Sequence, residues 1–164
     1  MAFTYYPLIK LYVEPTPLPA ESSINEYFLS VPKIGAYAPI ILNVDPWNEN
    51  DYLPVLPKGI AQARGSSVPG QKGSIFLFAH SSDFPWRMTR YNTAFLRLGE
   101  LQIGDQVVIT KGGKTFKYTV KDKKEVWPTD IQYLKNPQGD QLILQTCTPI
   151  GTSLKRLLVF AEPT

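Results

Sequence analysis

The sequence is poor in the two side chains that most often bind transition metals or form disulfides. Its 164 residues include one cysteine and one histidine. One cysteine cannot close a disulfide within the chain, and a structural zinc site needs several cysteine or histidine ligands. The sequence therefore excludes a disulfide framework and a Cys/His zinc site, and it makes Cys147 and His80 the single residues of their kind.

Charge is also scarce, and its balance argues against one class of partner. Charged residues make up 19% of the chain, with 17 Lys and Arg against 14 Asp and Glu, and the formal net charge is +3. Such a small excess gives no broad basic field that would attract a polyanion. We therefore expect no nucleic-acid partner.

Long hydrophobic runs are missing as well. No run approaches the roughly 20 apolar residues that cross a bilayer. The first ten residues, MAFTYYPLIK, lack the basic region and apolar core of a signal peptide. The chain as given is therefore expected to be soluble, and the same features are compatible with its being part of a longer protein.

Proline is abundant and unevenly placed. Nine of the 15 prolines precede residue 60, and the run EPTPLP at 14–19 favours extended polyproline geometry over helix. The remaining chain has the length and the hydrophobic content, 43% overall, of one domain with its own core. We predict a Pro-rich N-terminal arm or stalk over residues 1–23 and one folded domain over residues 24–164.

Short β-type runs separated by turn residues dominate the chain from residue 24 onward. Seven such runs favour an all-β barrel or sandwich. In the clearest pair, 106–111 and 114–120, Gly112 and Gly113 supply the positive φ angles of a tight hairpin turn. The runs are 27–34, 37–44, 74–79, 105–110, 115–126, 141–147 and 156–161.

Other segments are predicted to be helix or loop. Residues 92–101 carry apolar side chains at helical spacing and predict one short helix. Residues 45–73 and 127–140 are rich in Pro, Asn, Asp, Gly and Gln, and we interpret them as long loops. Loops of that length in a compact domain tend either to carry function or to be disordered.

Three reactive side chains occupy the ends of β-type runs. Cys147 and His80 each close an apolar run, and Arg156 opens the next run nine residues after the cysteine. If 141–147 and 156–161 pair as neighbouring antiparallel strands, the guanidinium returns to the level of the thiol. Each residue alone is more often structural or solvated, but the three together indicate a reactive site.

These residues and their surroundings resemble the sortases, which are bacterial cell-surface cysteine transpeptidases. The resemblance covers about residues 31–160. Its densest part, LILQTCTPIGTSLKRLLV at 142–159, is similar to the family's Thr-Cys strand end, Pro/Gly loop and returning Arg strand. Supporting segments are VPKIGAYAPI at 31–40, Ala79-His80 and LQIGD at 101–105.

The resemblance implies a fold and a mechanism. The expected fold is all-β, a sortase-like closed β-barrel of about eight strands with one or two short helices. Cys147 is then the nucleophile, His80 the acid/base partner and Arg156 the group that stabilises the oxyanion and positions the substrate. The expected reaction cleaves a Leu-Pro-x-Thr-Gly-like sorting signal through a thioacyl-enzyme and transfers the surface protein to an amine.

The family also implies partners and a location. The amine acceptor would be a peptidoglycan cross-bridge or a pilin lysine. A membrane anchor is expected outside the given sequence, with the domain working at the extracellular face of the cell membrane.

Four further residues are candidates for substrate binding. They are Thr146 and Ile150 beside the cysteine, Ser81 after the histidine, and Trp86 in the aromatic stretch that follows it. Trp86 either walls a peptide groove or packs its ring on the barrel. A threonine in a strand is often only structural.

Oxygen ligands crowd one loop, at Asp45, Asn48, Glu49, Asn50 and Asp51. Some sortases use calcium near the groove, which makes Asp45, Glu49 and Asp51 weak candidates for a metal site. Their spacing matches no defined calcium loop, and a solvated acidic turn is the favoured interpretation. We expect no cofactor.

Two rival functions remain to be separated from this one. Another class of cell-wall transpeptidase also uses Cys, His and Arg but keeps His and Gly beside its Cys. Here Thr146 and Thr148 flank Cys147, and the histidine is 67 positions upstream. The other rival is a non-catalytic β-barrel that binds or adheres at the cell surface.

Overall fold

β-strands dominate the described part of the chain. The computed structural model describes residues 26–81, 94–135, 137–148 and 154–164. Its strands are β1 Tyr27–Val31, β2 Ala36–Val44, β3 Ile60–Ala63, β4 Ile75–Phe78, β5 Gln106–Lys111, β6 Lys114–Val126, β7 Leu142–Thr148 and β8 Lys155–Pro163. These eight strands close into a barrel in the order β1-β2-β3-β4-β7-β8-β6-β5. The predicted all-β barrel is therefore confirmed.

The predicted glycine hairpin joins β5 to β6. Gly112 and Gly113 have φ angles of 58° and 78°, which residues with a side chain rarely adopt. The turn sets Lys111 opposite Lys114 and fixes the register of the whole pair.

The pairing of β4, β7 and β8 determines where the ends of these strands meet. β4 pairs with β7 in parallel, and β7 pairs with β8 antiparallel. The last residues of β4 and β7 and the first residues of β8 therefore lie at one edge of the barrel. That edge carries the candidate reactive residues.

Successive side chains of β4 and of the first half of β7 point alternately into and out of the barrel, and both sets are apolar. Leu77 and Leu144 point into the barrel and belong to its core, where both are fully buried. Phe76, Phe78 and Ile143 point outward but are buried too, beneath the segments that follow β2 and β6. The outer face of the barrel wall is thus a second apolar layer, and it forms the floor beneath those two segments.

The segments predicted as loops contain regular structure. Residues 45–73 hold a one-turn helix, α1 Glu49–Tyr52, and the strand β3. Residues 127–140 hold a second one-turn helix, α2 Gln132–Lys135. The expected one or two short helices are therefore present, but the prediction of loops alone was wrong at these three places.

The predicted helix over residues 92–101 is not an α-helix in its described part. Residues 94–97 form turns, and Leu98–Glu100 forms a 3₁₀ turn that ends at Leu101. Phe95, Leu98 and Leu101 are fully buried, three residues apart. Only Leu98 of these three lies within the 3₁₀ turn, and a spacing of three residues occurs on the buried face of both helix types, so the pattern did not distinguish them.

The Pro-rich arm predicted over residues 1–23 lies outside the described residues, so its prediction stands as made. Within the described ranges, no helix has the length and apolar character to span a membrane.

Candidate active site

Cys147 and Arg156 face each other across two neighbouring strands. Cys147 is the next-to-last residue of β7, Arg156 is the second residue of β8, and the two are register partners in the antiparallel pair. Both side chains are partly buried. The predicted pairing of these two strands, which returns the guanidinium to the level of the thiol, is confirmed.

His80 reaches the same edge through the parallel pairing of β4 with β7. The Ala79 amide donates to the Gln145 carbonyl at 3.1 Å, which extends the pairing beyond the last residue of β4. The Thr146 hydroxyl donates to the Ala79 carbonyl at 2.9 Å in a buried hydrogen bond. These two bonds place the backbone of His80 beside the residue that precedes the cysteine.

One cavity is lined by all three candidate reactive residues. It has a volume of about 380 Å³ and lies between the segment after β2 and the segment after β6. His80, Cys147 and Arg156 all line it, while most of the remaining lining is apolar or aromatic. The apolar and aromatic lining consists of Pro46, Trp47, Tyr52, Leu53, Leu56, Phe78, Ala79, Val126, Trp127, Pro128, Ile131, Tyr133 and Leu134.

Tyr52 brings a phenol hydroxyl to this cavity. Asn48 caps helix α1 by accepting a hydrogen bond from the Asn50 amide, and the Tyr52 ring meets Phe78 edge-on with centroids 6.1 Å apart. Burial raises the pKa of Tyr52; Glu49 and Cys147 raise it further, and Arg156 opposes them. The phenol therefore stays protonated at neutral pH and is a potential hydrogen-bond donor near the thiol.

Two exposed tryptophans flank the cavity. The exposed fraction is 57% for Trp47, which follows β2, and 53% for Trp127, which follows β6. The Lys155 ammonium lies over the Trp127 ring, 4.7 Å from its centroid. Exposed aromatic side chains beside a concave site are typical of a surface that binds another molecule.

Two carboxylates of the segment after β2 pair with Arg64, the residue that follows β3. Arg64 lies 3.7 Å from Asp45 and 3.5 Å from Asp51, and the Asp51 carboxylate also accepts from the Asp45 amide. Asp45 accepts from the Trp47 amide as well. Across the described parts of the chain, no group of three or more His, Cys, Asp or Glu residues is arranged to hold a metal ion.

Of the four predicted substrate-binding residues, two are described and buried, and two lie outside the described residues. Thr146 lines the cavity but is 4% exposed, and its hydroxyl is engaged by Ala79. Ser81 follows His80 and is 3% exposed. Trp86 and Ile150 lie outside the described residues, so their predicted contacts with substrate stay predictions.

The sequence reasoning missed three residues that line the cavity: Trp47, Tyr52 and Trp127. The available signal was an aromatic residue within each segment rich in turn formers. An aromatic side chain in such a segment indicates an apolar surface on which it packs. Here that surface is the outward-facing apolar layer of β4 and β7.

The fold and the site together define a class of protein. A strand-end thiol, an imidazole and a guanidinium around one largely apolar cavity form the kind of arrangement that cysteine-dependent acyl-transfer enzymes use. Residues 29–164 match the family model of the sortase domain. The chain therefore belongs to the sortase family, whose members are cysteine transpeptidases.

Several known sortases are similar to this chain. Sortase D of Bacillus subtilis (strain 168) is 29% identical over 138 residues, which cover 82% of this chain and 61% of that protein. Sortase A of Bacillus anthracis is 22% identical over 134 residues, which cover 82% of this chain and 57% of that protein. The chain thus spans about three fifths of the length of these relatives.

Solved structures show the same fold. The lid mutant of sortase A from Corynebacterium diphtheriae has a TM-score of 0.68 and 29% identity, covering 97% of this chain and 80% of that one. Sortase C-1 from Actinomyces oris has a TM-score of 0.70 and 29% identity, covering 84% and 72%. These likenesses confirm the expected sortase-like barrel.

Proposed function

We propose that this chain is a cysteine transpeptidase that acts on a Leu-Pro-x-Thr-Gly-like sorting signal through a thioacyl-enzyme. The observation that carries the proposal is the meeting of Cys147, His80 and Arg156 in one cavity at the shared edge of β4, β7 and β8. Membership of the sortase family supports the same reaction.

The first half of the proposed reaction breaks the peptide bond after threonine. The Cys147 thiolate attacks the carbonyl carbon, a sulfur–carbon bond forms, and the carbonyl electron pair moves to its oxygen. The Arg156 guanidinium stabilises that oxyanion. When the carbonyl reforms, the carbon–nitrogen bond breaks and the leaving amine takes a proton from the His80 imidazolium.

The second half transfers the acyl group. An incoming amine loses its proton to the neutral His80 as it attacks the thioester carbonyl. Collapse of the second tetrahedral intermediate breaks the sulfur–carbon bond and regenerates the Cys147 thiolate. The net result exchanges one amide for another, and the pair returns to its starting protonation.

The cavity suits an apolar peptide. Leu56, Phe78 and Leu134 lie in its wall, which favours leucine and proline side chains on the acyl side of the cleaved bond. A cavity of about 380 Å³ holds a few residues rather than a folded partner. The remainder of the substrate protein would stay outside.

The acceptor and the location follow from the family as proposals. We propose that the acceptor is the amine of a peptidoglycan cross-bridge or of a pilin lysine. We also propose that the domain works at the extracellular face of the membrane, on an anchor outside the given sequence. The predicted absence of a metal cofactor remains a proposal, and activity that persists after chelation would support it.

The direct test of the function is mass spectrometry of peptide products. The chain is mixed with a small library of Leu-Pro-x-Thr-x peptides and several amines, alongside Cys147→Ala and His80→Ala. We expect cleavage after threonine and new amides with the preferred amine, both absent for Cys147→Ala. Peptide binding without any cleavage would instead identify the chain as a non-catalytic binding module.

A further inference from the structure

A second cavity lies next to the cavity at the thiol. Trp47 and Leu134 line both, so the two cavities are neighbours at these side chains. The second cavity has a volume of about 650 Å³ and is bounded by the β3–β4 connection and the end of α2. Together the two cavities form one groove over the outer face of the barrel wall.

The groove follows strand β4. His80, just beyond the C-terminal end of β4, lines the first cavity, and Ser74, just before its N-terminal end, lines the second. Six residue steps separate 74 from 80, which is about 20 Å of extended chain at roughly 3.3 Å per residue. Four extended residues of a bound peptide span about 13 Å.

The lining of the second cavity is basic and polar. Arg64, Lys72 and Lys135 line it, and none of its lining residues that the structure describes carries a carboxylate. Arg64 is already engaged by Asp45 and Asp51. Lys72 and Lys135 are exposed, and neither forms an ion pair with another residue that the structure describes.

Lys72 sits on a connection that hydrogen bonds hold in place. The Ser67 hydroxyl donates to the Lys72 carbonyl at 2.8 Å, and the Ser67 amide donates to the Ser74 carbonyl at 2.9 Å. The Asp140 carboxylate accepts from the Gly73 amide at 2.6 Å and lines a neighbouring cavity, which Lys72 and Gly73 line as well. Lys72 is therefore held on a defined backbone, and the Asp140 carboxylate nearby is not among the residues that line the second cavity.

We infer that the second cavity binds a carboxylate side chain of the substrate, located one to three residues before the leucine of the sorting signal. This inference rests on the proposed function, which places Leu-Pro-x-Thr between the thiol and the Trp47–Leu134 junction. The next residues upstream then pass the junction and reach Lys72 and Lys135. The substrate class is a sorting signal preceded by aspartate or glutamate.

Binding to the Cys147→Ala variant tests this inference without any need for turnover. Three peptides that differ only before the leucine carry two glutamates, two glutamines or two lysines, and their Kd values are measured by titration calorimetry. We expect about three- to tenfold tighter binding of the glutamate peptide than of the lysine peptide at low salt. The difference should shrink at high ionic strength, because these charges are exposed.

Charge exchange identifies the residues responsible. Introducing Lys72→Glu and Lys135→Glu together into the Cys147→Ala variant should reverse the preference, so that the lysine peptide binds more tightly than the glutamate peptide. Lys114→Glu with Lys121→Glu makes the same change in net charge on exposed residues of β6 that line neither cavity, and it should leave the preference intact.

Two results would overturn the inference: equal binding of all three peptides, or an equal effect of the two charge-reversed pairs. Turnover by the wild-type chain is measured separately with the same peptides. Transfer without any charge preference contradicts the inference and leaves the proposed function standing. Charge-dependent binding without cleavage supports the inference and contradicts the proposed reaction.

Discussion

At the scale of single residues, one buried hydroxyl connects the histidine strand to the cysteine strand. The hydroxyl of Thr146, the residue before Cys147, donates to the carbonyl of Ala79, the residue before His80. Its side chain is therefore a positioning group, since it orders the backbone that carries both reactive residues.

Thr146→Val removes this hydrogen bond with little change of shape. A buried carbonyl without its partner destabilises the fold by about 1–3 kcal/mol. We expect this loss in denaturant unfolding, together with a lower kcat because His80 is less well placed. Thr148→Val, on the same strand but partly exposed, is the control and should change both quantities much less. Unchanged stability and kcat in Thr146→Val would contradict the positioning role.

The arginine is predicted to act through its forked geometry as well as its charge. Lysine keeps the charge but loses the planar pair of donors. We expect Arg156→Lys to lower kcat by about 10²–10³ with little effect on stability, as when one oxyanion donor is lost. Steady-state kinetics with a sorting peptide measure this. Arg97→Lys, whose guanidinium pairs with Glu100 and lines neither cavity, serves as control, and an equal fall in both variants would refute the assignment.

At the scale of elements, the β2–β3 connection places Trp47 and Tyr52 above the site. It returns to the barrel at Gly59, just before Ile60 pairs in parallel with Ile40. A Cβ at Gly59 would overlap the Pro39 carbonyl oxygen of β2. The absence of a side chain there lets β3 close against β2.

Gly59→Ala should therefore separate β3 from β2. We expect a loss of about 1–3 kcal/mol in unfolding free energy, typical of overpacking against backbone. Gly99→Ala is a matched control, because its Cβ would meet Leu157 at an ordinary 3.6 Å. Comparable stability of the two variants would contradict this account of the connection.

The elements also show what sequence can and cannot predict. The facing positions of Cys147 and Arg156 were predictable, because a short antiparallel return fixes the register. The four residues of β3 are all buried, so their sequence lacks the alternation that marks a strand with one exposed face. The approach of His80 depends on parallel pairing with a strand more than 60 residues away, and only the family resemblance indicated it.

At the scale of the whole molecule, buried phenols make stability sensitive to alkali. Burial raises the pKa of Tyr27 well above its usual value, with a smaller contribution from Tyr118, and burial also raises the pKa of Tyr118. Tyr27 donates to Gln62 at 2.7 Å, a bond that joins β1 to β3. Only the protonated phenol can make it.

The sign of the pH effect follows from linkage. The unfolded chain loses phenol protons near pH 10, whereas the folded chain retains them. The stabilisation that comes from the protonated phenols should be fully present below pH 10. It should be lost progressively as the pH rises above 10. Unfolding free energies at pH 8 to 11 measure this. Tyr27→Phe should be less stable at pH 8 and should lose less stability on going to pH 11; an unchanged slope would contradict the account.

In the proposed mechanism, the folded barrel brings three residues distant in sequence together so that two of them assist one nucleophile, the Cys147 thiolate. A Leu-Pro-x-Thr peptide ending in a vinyl sulfone tests it most directly, because only an activated thiol in the peptide cavity attacks it rapidly. We predict a single adduct, mapped by peptide mass to Cys147, with labelling at least about tenfold slower in His80→Ala and Arg156→Ala. An adduct elsewhere, or equal labelling rates in all three proteins, would contradict the account.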